Sequence, residues 1–213
     1  TDLHRLRLSS IESQTIGPDL LDIYASANGR FCRHFHVPMQ SGSSRILELM
    51  RRPYDRNAYF KRLELVKNAK PNTIIGADVI VGFPGESEED FKETKSLAES
   101  GLLDYLHVFS YSDRKGTVAD GIEDKVDSFT IRKRSAMLNE ISNKIRQKAL
   151  SRQIGQILEV IPNQRSNGAD ESWGVADNFL KVNLPSLGAK SNSLLNILVR
   201  SAFEDHVAGD LIT

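Results

Sequence analysis

Strand-like and helical stretches alternate through the first part of the chain, and this alternation limits the fold more than any other feature. Strand-like runs lie at residues 3–9, 34–38, 74–82 and 106–111, with helical patterns near 18–27, 44–69 and 88–100 between them. Strands separated by helices of this length form βα units and a parallel sheet. Ser87 followed by Asp90 marks a helix start, and Glu88, Glu89 and Asp90 place negative charge where the helix dipole favours it.

A fully covered parallel sheet has strands that read as continuous apolar runs, and these do not. At a period of two, Arg5, Arg7 and Ser9 stand against Leu6 and Leu8, and His34, His36, Pro38 and Gln40 against Phe35, Val37 and Met39. The third run puts Asp78 and Gly82 on one face, and the fourth sets His107 and Tyr111 opposite Leu106 and Val108. One face of the sheet is therefore polar. A closed barrel fills its interior with branched apolar side chains, so a polar interior predicts an open or partial barrel that holds a ligand.

Residues 128–152 predict one long basic helix, with Arg132, Lys133, Arg134, Lys144, Arg146, Lys148 and Arg152 against Glu140 alone and an apolar stripe through Ile131, Leu138, Ile141, Ile145 and Ala149. From Gly155 the texture changes to short β-like runs separated by Asn, Gly, Ser and Pro, which predict a small five-stranded barrel of the OB-like kind. The expected division is residues 1–152 and 153–213. With 28 basic and 28 acidic residues, overall charge does not point to a nucleic acid or a membrane. No apolar run approaches the roughly 18 to 20 residues of a membrane span, and the expectation is a cytoplasmic protein with no membrane partner. The only cysteine, Cys32, cannot form an internal disulfide or by itself ligate a metal cluster, and its expected use is as a small buried apolar residue. The chain opens on Thr1 and runs directly into a strand-like stretch, so a fragment of a longer protein is expected.

The third run continues as "IIGADVIVGFPGESEED", a strand leading into the loop Gly82-Phe83-Pro84-Gly85-Glu86. Glycine lets backbone approach a ligand, and loops at the C-terminal ends of parallel strands are where ligands bind, although an ordinary tight turn reads the same way. "RLRLSSIES", "FCRHFHVPMQSGSSRILELMRRPYDR", "GADVIVGFPGESEEDF" and "YLHVFSYSDRKGT", in this order and spacing, closely resemble the C-terminal part of the radical-SAM methylthiotransferases. The resemblance runs from Leu3 to about Arg152, and the remainder resembles the family's TRAM domain, an RNA- or substrate-binding barrel.

The resemblance implies an α/β fold: about four strands of a six-stranded partial (β/α) barrel of the radical-SAM type, followed by a small all-β TRAM or OB-like barrel. It implies S-adenosylmethionine and 4Fe-4S clusters as cofactors of the intact enzyme and tRNA as its partner. The Cys-x3-Cys-x2-Cys loop that holds the catalytic cluster in the family is absent from this chain, so no catalytic residue is assigned here and the chain alone is expected to be inactive. "RLRLSSIE", "HFHVPMQSG" and "MRRPYDR" are most similar to the branch acting on threonylcarbamoyladenosine at position 37 of tRNA. The isopentenyladenosine branch, or a ribosomal-protein substrate, is the alternative. Asp113 and Lys115 stand where the family often has prolines, and Ser87 where threonine is usual.

By the same resemblance, Ser10, Glu12, Gln40 and Ser41 are candidates for the ribose and methionyl contacts of S-adenosylmethionine, and Asp78, Gly82 and Phe83 for contacts near its adenine. Loop capping is the alternative for Glu12 and Gln40. A carboxylate at Asp78 either meets the cofactor or substrate, or pairs with Arg5 or Arg7 across the interior. Arg51, Arg52, Arg132, Lys133 and Arg134 are candidate contacts to RNA phosphates, with solvated helix surface as the other reading. Trp173 and Phe179 can stack on bases or pack a barrel core. His34, His36 and His107 read as interior residues rather than metal ligands, because no carboxylate partner is evident in the sequence. Two other function classes fit less well. A βα-barrel lyase or aldolase needs a strand-end lysine or acid–base pair, and none of the four runs contains a lysine. A plain RNA-binding module leaves the polar sheet face unexplained.

Overall fold

The computed structural model describes residues 3–27, 29–163, 172–184 and 194–212. Strands β1 (His34–His36), β2 (Ile74–Val81) and β3 (Tyr105–Ser110) form a parallel sheet in the order β1-β2-β3. In this register Gly76 lies beside both His36 and Tyr105, and Asp78 lies beside His107. The expected strand at residues 3–9 is reduced to one bridge, Leu6 to Phe31. Its arginines explain why: Arg5 and Arg7 reach away to the C-terminal barrel, and only Leu6 exchanges backbone hydrogen bonds, with Arg30 and Cys32. The sheet thus has three strands where four were expected.

Helix α1 (Pro18–Ser26) precedes β1. The single helix expected at 44–69 is two, α2 (Ser44–Leu49) and α3 (Arg56–Ala69). Pro53 has no N–H to donate and disfavours a helical Arg52, and Arg51 sits in the left-handed region at φ 56°. Asp55 then restarts the chain by accepting from the Ala58 N–H at 2.7 Å. Helix α4 (Glu88–Ala98) opens with the capping box between Ser87 and Asp90 that the sequence announces. Helix α5 spans Ser128–Ser151.

These helices cover one face of the sheet. Phe35, Val37, Ile75, Ala77, Val79 and Val81 are fully buried in one core with Tyr59, Leu63, Val66, Phe91, Leu97, Leu138, Ile141 and Ile145. The alternating pattern places His36, Asp78 and His107 on the other face. Strands β4 (Ile157–Pro162), β5 (Ser172–Ala176), β6 (Lys181–Leu184), β7 (Leu195–Ala202) and β8 (Val207–Ile212) close into a barrel in the order β4-β5-β6-β8-β7. Leu158, Val160, Ala176, Val182, Ile197, Val199 and Val207 fill it completely. The five-stranded barrel is as the sequence predicts.

The barrel docks at the N-terminal ends of the parallel strands. Arg33 at the start of β1 donates twice to Asp177, at 2.5 and 3.0 Å, and Arg5 pairs with Glu159. Arg7 donates to the Ala176 carbonyl at 3.1 Å and lies over the Phe179 ring at 4.8 Å. Behind them, the buried carboxylate of Asp104 accepts from the Ile75 N–H at 2.8 Å and from Lys67 Nζ at 2.6 Å, and pairs with Arg152 at the end of α5. One side chain so joins β2, α3, α5 and the turn into β3. Replacing Asp104 by Ala strands a buried amide and the Lys67 ammonium, and unfolding measured in denaturant is expected to show a loss of about 3–5 kcal/mol. A loss below about 1 kcal/mol would show that water replaces the carboxylate, since that is the range of an exposed pair.

Candidate functional site

The inner face of the sheet is built in layers. At the N-terminal end, His34, Gly76 and Tyr105 form a floor: the Tyr105 hydroxyl lies 2.9 Å from His34 Nε2, and the two rings are parallel. Glycine at 76 makes room for this ring, since a Cβ there would lie 1.9 Å from it and force Tyr105 to shift. Phe179, held in the left-handed region at φ 70°, closes this floor from the barrel side, with its ring centroid 4.7 Å from that of His34. Burial, with Arg7 and His36 adding to it, pushes the His34 imidazole down to about 3.

The middle layer is His36, Asp78 and His107. Asp78 Oδ1 lies 3.1 Å from His36 Nε2 and 3.2 Å from His107 Nδ1. Above it the cavity widens to about 490 Å³, lined by Gln40, Asp78, Ile80, Phe109, Ser110, Tyr111 and Arg114 among others. This volume lies in the range of small-molecule sites and opens at the C-terminal ends of the strands, where α/β sheets bind ligands. Gln40 reaches the rim through a left-handed backbone, φ 62°, while its N–H and C=O still bridge to Asp78 and Ile80 on β2.

The loop after β2 forms the other rim. Gly82 has φ 78°, and any Cβ there would lie 2.3 Å from Ile131 of α5. Its N–H donates to Glu86 Oε2 at 2.9 Å, and the same carboxylate accepts from Arg134 at 2.7 Å. Burial pushes the Glu86 carboxyl above the usual range, against the opposing pull of the Gly82 amide and Arg134. Phe83 is buried edge-on against Tyr111 at 5.3 Å.

The predicted site residues divide accordingly. Gln40 and Asp78 line the cavity, whereas Gly82 and Phe83 do not, Phe83 being buried behind the lining residue Tyr111. Glu12 stands at the start of a short turn but its side chain makes no capping hydrogen bond; it pairs with Arg52 at 3.4 Å, and its Oε2 is buried without a hydrogen-bond partner among the described residues. Ser10 is exposed at the end of the first segment. Ser41 turns inward instead: it is buried, accepts from the Ser43 N–H at 3.1 Å and faces Thr94 of α4. Of the proposed phosphate contacts, Arg51, Arg132 and Lys133 are exposed, and Arg52 is half-buried against Glu12. Arg134 is not available to RNA. It is buried, donates to Glu86 and Glu88, and lies over the Phe91 ring. Nor does Asp78 meet Arg5 or Arg7, which serve the barrel junction; its partners are the two histidines for which the sequence shows no carboxylate. Trp173 lies under Lys181 Nζ at 3.9 Å and beside His206, and neither it nor Phe179 belongs to the barrel's buried core. Cys32 is buried as expected. Arg114, Ile80 and Phe109 do not stand out in the sequence, although Arg114 lies in "YSDRKGT", and Ile80 and Phe109 follow Asp78 and His107 at a spacing of two.

The Radical SAM superfamily profile matches residues 3–98. Threonylcarbamoyladenosine tRNA methylthiotransferase MtaB of Bacillus subtilis is 36% identical over 181 residues, covering 84% of this chain and 40% of that protein. The tRNA-2-methylthio-N(6)-dimethylallyladenosine synthase of Bacillus licheniformis is 32% identical over 212 residues, 99% of this chain and 42% of its own length. The chain belongs to the radical-SAM methylthiotransferase family. It spans less than half the length of these relatives. Among solved structures, the radical-SAM enzyme coproporphyrinogen III oxidase from Escherichia coli superposes with a TM-score of 0.51 at 17% identity, covering 83% of this chain and 46% of that one, which speaks for the fold alone.

Family cofactors fit this chain unequally. An open cavity lined by Gln40, Asp78, Ser110 and Tyr111 suits the hydroxyls and amine of S-adenosylmethionine. A 4Fe-4S cluster finds no thiolate set here, since Cys32 is the chain's only cysteine and is buried.

The floor gives a pH prediction. An unfolded histidine titrates near 6.5, and His34 does so in the folded chain at about 3, so the unfolded state takes up a proton that the folded state refuses. Stability that is complete above pH ~6.5 should fall by up to ~1.4 kcal/mol per pH unit toward 3 from this group alone. Denaturant titrations across this window should show a shallower slope for His34→Gln; identical slopes would mean that His34 does not set it.

Proposed function

We propose that this chain is part of a radical-SAM enzyme that adds a methylthio group to C2 of N6-threonylcarbamoyladenosine 37 in tRNA. The observation that carries the reading is the match to MtaB-type relatives: the Bacillus subtilis protein, and an Aquifex aeolicus one at 38% identity over 73% of this chain. The nearly full-length match to a dimethylallyladenosine-type synthase keeps the isopentenyladenosine substrate as the second reading. S-adenosylmethionine, when bound, supplies the hydrogen-abstracting radical chemistry and the methyl group. This chain's own part is positioning. Gln40 and Asp78 offer polar contacts in the cavity, and the Phe179 ring packs on the buried His34 at the N-terminal end of the strands. Cluster ligands belong, in this reading, to the part of the relatives' length that the chain does not span, and the small barrel serves as the TRAM domain. A tRNA substrate places the enzyme in the cytoplasm.

Mass spectrometry of tRNA nucleosides tests the substrate. Expressing the whole enzyme of which this chain is proposed to be part, in cells lacking the modification, should produce 2-methylthio-N6-threonylcarbamoyladenosine. The isopentenyl product instead selects the second reading, and neither product defeats both.

The basic helix gives a separate test on the same enzyme. Replacing the exposed Arg132 and Lys133 by Ala should lower the log–log salt slope of tRNA binding by roughly one for each side chain that pairs with a phosphate. Arg134→Ala should instead leave that slope alone and cost about 3–5 kcal/mol of stability, because Glu86 is then a buried charge without its partner. A slope unchanged by the first pair assigns those side chains to solubility.

A further inference from the structure

We propose that His36, Asp78 and His107 form a binding site for a divalent transition-metal ion of the zinc class, distinct from any iron–sulfur cluster and independent of which nucleoside the enzyme modifies. The three side chains come from three adjacent strands, β1, β2 and β3, and their donor atoms all lie within 4.8 Å of one another. Strands in register fix them: His107 is the direct neighbour of Asp78, and His36 is the neighbour of Gly76, two residues before it.

The spacing suits a shared ion as well as the His107–Asp78 hydrogen bond. Two ligand atoms at ~2.0–2.1 Å from a tetrahedral zinc ion stand about 3.3 Å apart. Both imidazoles meet the same oxygen, Asp78 Oδ1, at 3.1 and 3.2 Å, near that spacing. A charge-assisted N–H to carboxylate hydrogen bond is shorter, about 2.7–2.9 Å. Two imidazoles and a carboxylate are also the donor set that zinc and its neighbours prefer over magnesium or calcium.

The surroundings suit such an ion. His36 turns Nε2 to Asp78, with its Nδ1 3.5 Å from the Tyr105 hydroxyl, which is where an outer partner for a ligating imidazole belongs. Tyr105 is itself pinned over Gly76. Asp78 lines the 490 Å³ cavity, and His107 is half-exposed on the rim of a second pocket of about 110 Å³. Three protein ligands with an open side are the arrangement of a site that binds a further molecule rather than a purely structural one. The open positions would take water or an oxygen donor entering from the cavity.

Cobalt(II) is the probe, because its visible absorption reports coordination directly. The 213-residue chain, its fold followed by far-UV circular dichroism, is titrated with Co2+ and then with competing Zn2+. One equivalent should bind, with intense low-symmetry ligand-field bands that Zn2+ removes. His107→Gln and Asp78→Asn should each weaken binding at least about tenfold, the lower end of what even outer-sphere changes cost a metal site. His107 is exposed enough, and asparagine close enough in shape to aspartate, that both variants keep the fold. His206→Gln, at the half-buried histidine paired with Asp205 in the small barrel, should leave Co2+ binding unchanged. Folded wild-type chain that binds no stoichiometric Co2+, or binding that survives both site variants, overturns the proposal.

Discussion

A parallel sheet covered by helices on one side only must do something with its other face, and here that face is closed at one end and left open at the other. The closure is an interaction between domains. Phe179 is pressed between Arg7 and His34, and the Arg33–Asp177 and Arg5–Glu159 pairs hold the small barrel beneath the strands. Above this floor the polar groups stand along the wall of the cavity, and where they are partly withdrawn from water their electrostatic and hydrogen-bonding interactions are stronger than in solvent.

The open end is held by a different contact. Glu86 bonds the Gly82 amide and the buried Arg134, so the loop after β2 and the first turns of α5 move as one piece. Burying this pair is costly, and its gain is geometric: it fixes a rim that a solvated loop of the same sequence would leave free. Asp90 does the same for the neighbouring rim. Burial opposes its charge, but Arg45, Ser43 and Ser87 outweigh this and hold its carboxyl well below the usual range, tying the loop after β1 to the start of α4.

Much of this is legible in the sequence, because a period of two assigns faces without knowledge of neighbours. The polar inner face, the parallel sheet, the capping box at Ser87, the long basic helix and the five-stranded barrel all follow from local rules. What is not legible depends on register and docking. Asp78 lies on the polar face, but nothing in a single sequence says which residue of β3 stands beside it, so its histidine partners stay hidden and arginines look equally suitable. The charge of Arg134 reads as exposure, although a guanidinium buried against a carboxylate leaves the same mark in the sequence. Arg5 and Arg7 alternate like a strand, and their pull toward the barrel keeps that segment from pairing. Ser41 sits one residue past the inward-facing Gln40, and the left-handed turn there sends its hydroxyl into the helix layer.

The contact between Gly76 and Tyr105 couples the two positions. A methyl group at position 76 has nowhere to go unless the ring at 105 shrinks or swings away, and a smaller residue at 105 removes the hydroxyl that His34 and His36 both approach. A larger residue at 76 therefore requires a shift or a change at 105, and either disturbs the floor and the middle layer with it. A change at either position thus reaches both the floor and the histidines above it.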